Sequence, residues 1–167
     1  FSSKTLLWLL AIEDVVLPWV SYREMVKALR YGRRNTLDVT VYRLYKKGWI
    51  KFIDKQGERF VKLTKGGQIE ALLAKARMPQ PKVWDGKWRI VFFDIPESSK
   101  DKRNLLRSLL KKNDFRKLQA SAYVSPYPLN REAIRYLTET NLKEFIRIVK
   151  VEEIDDDKDL RKMFSLK

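Results

Sequence analysis

The sequence contains no cysteine and no histidine. Their absence excludes disulfide bonds, thiolate nucleophiles and the usual structural zinc sites, and it removes the commonest general base. Any catalysis would depend on carboxylates, hydroxyls, Lys, Arg or Tyr. A bound metal would be a hard, oxygen-ligated ion such as Mg²⁺ or Mn²⁺, and no other cofactor is expected.

Long hydrophobic runs are also missing. The longest apolar stretch, residues 6–12, is too short to cross a bilayer, and it lacks the small-residue cleavage site of a signal peptide. We therefore expect no membrane partner and a cytoplasmic location.

Basic residues are in large excess. Lys and Arg number 36 against 21 Asp and Glu, a formal net charge of +15, while 44% of the residues are hydrophobic, enough for a packed core. An excess of this size implies a polyanionic partner, and nucleic acid is favoured over an anionic membrane. Among nucleic acids, double-stranded DNA is the partner expected from the helix-turn-helix pattern described below.

The chain divides near residues 77–87. Pro79 and Pro81 end the preceding helix, and a turn flanked by Trp84 and Trp88 follows. We predict one domain over residues 1–77, a linker over 78–87 and a second domain over 88–167. Both halves are basic, with net charges of +9 for residues 1–81 and +6 for the remainder.

The N-terminal domain begins with two predicted helices. An apolar segment predicts the first over residues 5–16, and Ser21 with Glu24 three residues later forms the capping-box pattern that begins the second. Met25, Val26 and Leu29 give the second helix a buried stripe. A short turn at residues 31–34 then ends it.

A third helix follows, with Asn35 as its candidate N-cap and Asp38 three positions later. Leu37, Val41 and Leu44 recur at helical spacing and predict its buried face. The opposite face was predicted to carry Thr36, Thr40, Arg43 and Lys47. Gly48 is expected to close the helix.

Two alternating segments then predict a β-hairpin over residues 49–54 and 58–63, with a turn at 55–57, followed by a helix from Thr64 to near Ala76. The order helix, helix, turn, helix, hairpin, helix is typical of a winged helix-turn-helix domain. The alternative is a module of the same shape that binds only protein.

In a winged helix the third helix enters the major groove of DNA. The residues predicted to contact bases or phosphates from this helix and its turn are Arg33, Arg34, Asn35, Thr36, Thr40, Arg43 and Lys47. Lys55 and Arg59 were predicted to contact phosphates from the hairpin.

The second half predicts strands and helices in the order β-α-β-β-α-β, which is the ferredoxin-like plan. We predict strands at residues 88–95, 115–118, 120–124 and 145–151, and helices at 100–112 and 129–141. Asp155-Asp156-Asp157 was assigned to a solvated turn or a helix start. The predicted fold class is therefore α+β, a winged helix-turn-helix followed by a ferredoxin-like domain.

Several blocks of the second half carry a family resemblance: Asp94-Ile95-Pro96-Glu97, Lys102-Arg103 with Leu105, and Phe115 with the run from Leu118 to Pro126. They resemble the PaaX-type repressors of phenylacetate catabolism and the second protein of CRISPR adaptation. The winged helix and the Trp84…Trp88 pair resemble the repressors, and Gln119-Ala120-Ser121 resembles the CRISPR protein.

The resemblance implies a homodimer formed through the C-terminal domain, which presents two winged helices to an inverted-repeat operator and represses transcription. PaaX-type repressors sense an acyl-CoA effector through a further C-terminal domain, and here the effector is left unassigned. The alternatives are a metal-dependent nuclease or CRISPR-adaptation subunit with an added winged helix, and an architectural or toxin-like nucleic-acid protein.

Asp94 occupies the position at which the CRISPR family holds a divalent metal between two protomers. A metal held there could activate water against a phosphodiester, whereas an Asp after a strand commonly binds local backbone amides. On the next helix, Arg103, Arg107 and Lys111 are either a stripe that contacts the DNA backbone or a solvated face.

Overall fold

The computed structural model describes residues 20–28 and 34–166. Outside this range lie the predicted helix over residues 5–16, Leu29, and residues 31–33 of the predicted turn, which include Arg33. The described residues form an α+β structure with two antiparallel sheets. The chain divides into two compact units, Phe1–Lys75 and Ala76–Lys167.

The N-terminal unit contains a three-stranded sheet of order β1-β3-β2. Its elements are β1 (Val20–Ser21), α1 (Tyr22–Ala28), α2 (Arg34–Lys46), β2 (Ile50–Lys55), β3 (Glu58–Leu63) and α3 (Lys65–Ala76), whose last residue falls in the second unit.

The predicted hairpin is present as β2 and β3, and its turn is one residue shorter than expected. Lys55 pairs with Glu58, which leaves Gln56 and Gly57 as the two turn residues. Their φ angles are +53° and +74°. A two-residue turn of this kind requires left-handed φ at both positions, because its twist then matches that of the strands.

Helix α2 ends in a Schellman motif at Gly48, the residue expected to close it. The Trp49 amide donates to the Leu44 carbonyl at 3.0 Å, and the Gly48 amide donates to the Tyr45 carbonyl at 2.9 Å. Gly48 has φ +69°, which glycine adopts without the Cβ clash that other residues suffer.

The predicted N-cap at Asn35 is wrong. Helix α2 begins at Arg34, so Asn35 lies within its first turn. Arg has a higher helix propensity than Asn, which favours the extension of the helix to residue 34. The predicted start of α3 is confirmed, because Thr64 Oγ1 accepts from the Gly67 amide at 3.1 Å.

One cluster of buried side chains fills the N-terminal unit. It includes the predicted core residues Met25, Val41 and Leu44, with Val26 partly buried against them. The remaining fully buried members are Ile50, Val61, Leu63 and Ala71.

The C-terminal unit contains a four-stranded sheet of order β5-β6-β4-β7, in which all neighbouring strands are antiparallel. Its elements are β4 (Trp88–Phe93), a 3₁₀ turn (Glu97–Ser99), α4 (Lys100–Lys112), β5 (Arg116–Gln119), β6 (Ala122–Ser125), α5 (Arg131–Glu139), a second 3₁₀ turn (Lys143–Phe145), β7 (Ile146–Val151) and α6 (Lys158–Met163). The predicted β-α-β-β-α-β order is therefore present.

The two faces of this sheet are covered differently. Phe93 packs against Tyr123 with ring centroids 6.1 Å apart, and Arg107 of α4 lies over the Phe93 ring, so α4 lies on this face. On the opposite face Trp88 and Val124 form a buried cluster with Leu160 of α6. Strand residues alternate between faces, which explains why both faces carry apolar side chains.

Helix α6 follows the acidic run, which is therefore a helix start rather than only a turn. Trp88 Nε1 donates to Asp157 Oδ2 at 3.1 Å, and Arg161 Nε donates to Asp157 Oδ1 at 2.9 Å. These bonds, that of Arg161 above all, hold the pKa of Asp157 below its usual value. They stabilise the ionised carboxylate that anchors α6 to the sheet.

None of the described helices combines the length and the hydropathy that a membrane crossing requires.

Candidate nucleic-acid interface

Helix α2 has one buried side and one exposed side. Val41 and Leu44 are 2% and 1% exposed and belong to the core. The opposite side is lined by Val39, Tyr42 and Lys46, whose spacing of three and four residues puts them in one row along the helix. We call these three residues the outward row.

The outward row combines apolar and cationic groups. Val39 is 48% exposed and Tyr42 is 58% exposed, and Lys46 Nζ lies 5.5 Å from the centre of the Tyr42 ring. Arg43 is exposed beside the row. A helix of this width fits the major groove of B-DNA, and such a row would face the bases.

Thr40 was predicted to lie on the DNA-facing side, and this prediction is wrong. Its side chain is only 7% exposed. The physical reason is helical geometry, because Thr40 lies four residues before Leu44 and so shares its side of the helix. The exposed side of α2 is thus displaced by about one residue from the predicted one, toward Val39 and Tyr42.

The other predicted contacts on α2 divide into two groups. Arg43 and Lys47 are exposed, and Lys47 Nζ lies 4.4 Å from the centre of the Trp49 ring. For Arg34, Asn35 and Thr36 only the backbone is described, as part of the first turns of α2.

On the hairpin, Arg59 lies next to an acidic partner. Arg59 Nε donates to Asp54 Oδ1 at 3.0 Å, and the guanidinium lies 5.4 Å from the centre of the Phe52 ring. The carboxylate of Asp54 raises the pKa of Arg59 above its usual value. Lys55 is exposed at the tip, next to the Gln56-Gly57 turn. The charge of Arg59 is therefore compensated in part by Asp54.

One of the three residues in the predicted basic stripe on α4 is engaged in an ion pair. Arg103 donates to Glu97 Oε1 at 3.1 Å and to the Glu97 carbonyl at 3.2 Å, which compensates its charge. Arg107 and Lys111 lie farther along and line an open groove. Asn104, Ser108 and Lys112 complete its lining.

Asp94 is exposed directly after β4, where its backbone amide donates to the Phe145 carbonyl at 3.0 Å. It lines an open cleft of about 500 Å³ with Glu144 and Arg147. In the described part of the chain, no three His, Cys, Asp or Glu residues come together to hold a metal.

A charged network surrounds the start of β4. Arg89 donates two bonds to Asp85, at 2.5 and 2.6 Å, and Lys150 Nζ lies 3.2 Å from the same carboxylate. Arg89 above all, with Lys150, holds the pKa of Asp85 far below its usual value. Trp84 packs against Trp88, with ring centroids 5.7 Å apart. The segment before β4 is thus fixed to the sheet.

Residues 81–163 match the family model described as the central Cas2-like domain of PaaX proteins. The chain carries a PaaX-type, Cas2-like domain. The match confirms the resemblance drawn from the blocks around Asp94 and Gln119. No curated protein matches the chain.

The PaaX-type domain coincides with the greater part of the C-terminal unit, from shortly before Trp84 to the end of α6. Asp94, the α4 groove and the Asp85 network all belong to it. The outward row of α2 lies outside the match, so its function is inferred from its own chemistry.

Proposed function

We propose that this chain is a homodimeric, sequence-specific DNA-binding transcriptional regulator that acts as a repressor. The observation that carries the proposal is the exposed outward row of α2 with Arg43 beside it, in a protein whose net charge is +15. A cationic helix face with exposed apolar groups can contact both phosphates and base edges in the major groove.

The N-terminal unit is proposed to be a winged helix-turn-helix. Support comes from the order α1, α2, hairpin and α3. In this arrangement α2 is the recognition helix, and the hairpin with Lys55 at its tip is the wing. Arg33, Arg34, Asn35 and Thr36 would add contacts from the start of the recognition helix.

The C-terminal unit is proposed to be a ferredoxin-like dimerisation domain. The strand order β5-β6-β4-β7 supports this, since the two β-α-β halves interleave as in that fold. The sheet face that carries α6 also leaves Phe92 44% and Val149 39% exposed. A second copy packed on these residues would remove them from water.

The α4 groove is proposed as a weaker contact with the DNA backbone. Arg107, Lys111 and Lys112 line it together with Asn104 and Ser108, whose polar groups can bind phosphate oxygens. Such contacts carry no sequence information. They would add affinity for any duplex.

The test is a gel-shift assay on duplexes selected by the protein from a random 30-base-pair pool. Wild type should retard the selected duplex, and Arg43→Ala/Lys46→Ala should weaken binding by at least tenfold, since two charge contacts are lost. Lys158→Ala/Lys162→Ala, which removes two exposed cations of α6, is the matched control and should change binding less than twofold.

The same assay with Mg²⁺ or Mn²⁺ tests the enzymatic alternative. The proposal predicts intact DNA, with binding that persists in EDTA. Metal-dependent cleavage that is lost in Asp94→Ala would contradict a purely regulatory function and establish a nuclease with a DNA-binding unit.

A further inference from the structure

The composition of the outward row is not explained by phosphate binding alone. Two of its three residues, Val39 and Tyr42, are exposed apolar or aromatic groups, and they are adjacent in the row. Cations would be enough to bind phosphates. An apolar pair next to two exposed cations on one helix face indicates a partner with apolar groups within a polyanionic surface.

Duplex DNA offers such a group in its major groove. Thymine is the only one of the four bases that carries a 5-methyl group there, and this methyl is contacted by apolar side chains. The phosphates beside the groove would bind Arg43 and Lys46, both exposed on the same side of α2. Charge complementarity and apolar contact therefore identify the same occupant.

We propose that Val39 and the Tyr42 ring contact thymine methyl groups, so that the recognition helix selects A·T base pairs at the centre of each half-site. This inference rests on the proposed function and deepens it by naming the bases that are read. Lys46 lies over the Tyr42 ring, and it would hold the ring in place while its charge reaches a phosphate.

The test replaces thymine by deoxyuridine, which removes the methyl and leaves the Watson–Crick groups unchanged. Duplexes selected from a random 30-base-pair pool are resynthesised with deoxyuridine, and both forms are titrated by fluorescence anisotropy. Each methyl that is buried should contribute about fourfold in affinity. Wild type should therefore bind the deoxyuridine duplex at least fourfold more weakly.

Variants assign this difference to the row. Val39→Ala and, separately, Tyr42→Ala should reduce the ratio between the two duplexes to below twofold. Lys46→Ala should weaken binding to both duplexes and keep more of the ratio, because it acts mainly on phosphates. Both apolar positions are about half exposed, and thermal unfolding should show that each variant folds.

The outcomes separate the two proposals. If no duplex is selected from the pool, the proposed function is overturned and this inference with it. If a duplex is selected but binds equally well with deoxyuridine, only the methyl contact is overturned. A full thymine preference retained in both apolar variants also overturns it, because the preference would then arise elsewhere or from DNA shape.

Discussion

At the scale of single residues, the side chain of Asn113 makes three buried hydrogen bonds. It is 9% exposed, and its Nδ2 donates to the carbonyls of Ala76 and Leu109, each at 2.9 Å. Its Oδ1 accepts from the Asn130 amide at 3.3 Å. One amide thus satisfies groups at the ends of three segments of the C-terminal unit.

We predict that Asn113→Ala lowers the free energy of unfolding by about 2 to 3 kcal/mol, because it leaves buried backbone groups without partners. Urea denaturation measures the change. Asn104→Ala, on the exposed side of the same helix, is the control and should change stability by less than about 0.5 kcal/mol. Equal effects of the two variants would contradict the assigned role.

The lowered pKa of Asp85 leads us to predict that the protein loses stability in acid. Its pKa is lowered in the folded protein by Arg89 and then by Lys150, so its contribution is complete above the unfolded pKa of about 3.9. That contribution is lost as the pH falls from there toward the folded pKa. The urea midpoint of wild type should therefore decrease between pH 5 and pH 2.

The variant Asp85→Asn should start from a lower urea midpoint at pH 7 and show a smaller decrease over the same range. Asp155→Asn changes an exposed carboxyl that makes no ion pair in the described residues, and it should retain the wild-type profile. A wild-type pH profile in Asp85→Asn would show that the network contributes nothing.

At the scale of elements, the start of α3 depends on one glycine of an adjacent pair. A Cβ built at Gly67 would lie 1.8 Å from the Trp49 carbonyl oxygen, which is backbone and cannot move aside. A Cβ at Gly66 would meet only Thr64 Oγ1, at 3.7 Å. The two positions therefore differ in close packing, although the sequence shows two equivalent glycines.

We predict that Gly67→Ala destabilises the protein by at least about 2 kcal/mol, because α3 must separate from the end of α2. Gly66→Ala should be neutral or stabilise by up to about 1 kcal/mol, since alanine favours the helix. Thermal unfolding of the two variants tests this directly. Similar melting temperatures would refute the close approach.

The elements of the chain could be predicted well where the local signals were strong. The hairpin followed from alternation around a Gly-containing turn, and α4 has the bounds predicted for the helix at residues 100–112. The predicted N-cap of α2 was wrong because the polar residue types that cap helices also occur within the first helical turn. Helix ends fray, and they commonly differ by one or two residues from the position that local sequence indicates.

At the scale of the whole molecule, the net charge of +15 predicts binding that weakens steeply with salt. The plot of log affinity against log salt concentration should have a slope of about −0.9 for each phosphate contacted. Lys46→Ala should reduce its magnitude by about 0.9, and Lys158→Ala on α6 should leave it unchanged. A slope near zero for wild type would contradict phosphate binding.

The proposed dimer makes a prediction about mass. Light scattering should show twice the 19.9 kDa of one chain, and Phe92→Asp should shift the protein to monomer, because a buried carboxylate at the interface is costly. Ile134→Asp changes a comparably exposed apolar residue on α5 and should remain dimeric. A dimer that persists in Phe92→Asp would place the interface elsewhere.

By itself the sequence determined the order of the elements from α1 to β7, the excess of positive charge and the absence of thiol and imidazole chemistry, because these follow from local pattern and composition. Only the tertiary structure decided which of the predicted contact residues form ion pairs with acidic side chains. Arg59 meets Asp54, and Arg103 meets Glu97. It also decided that Thr40 is buried and that Val39 and Tyr42 face outward. The physical reason is that ion pairing and burial depend on distances of a few ångströms, which are set by how the elements pack.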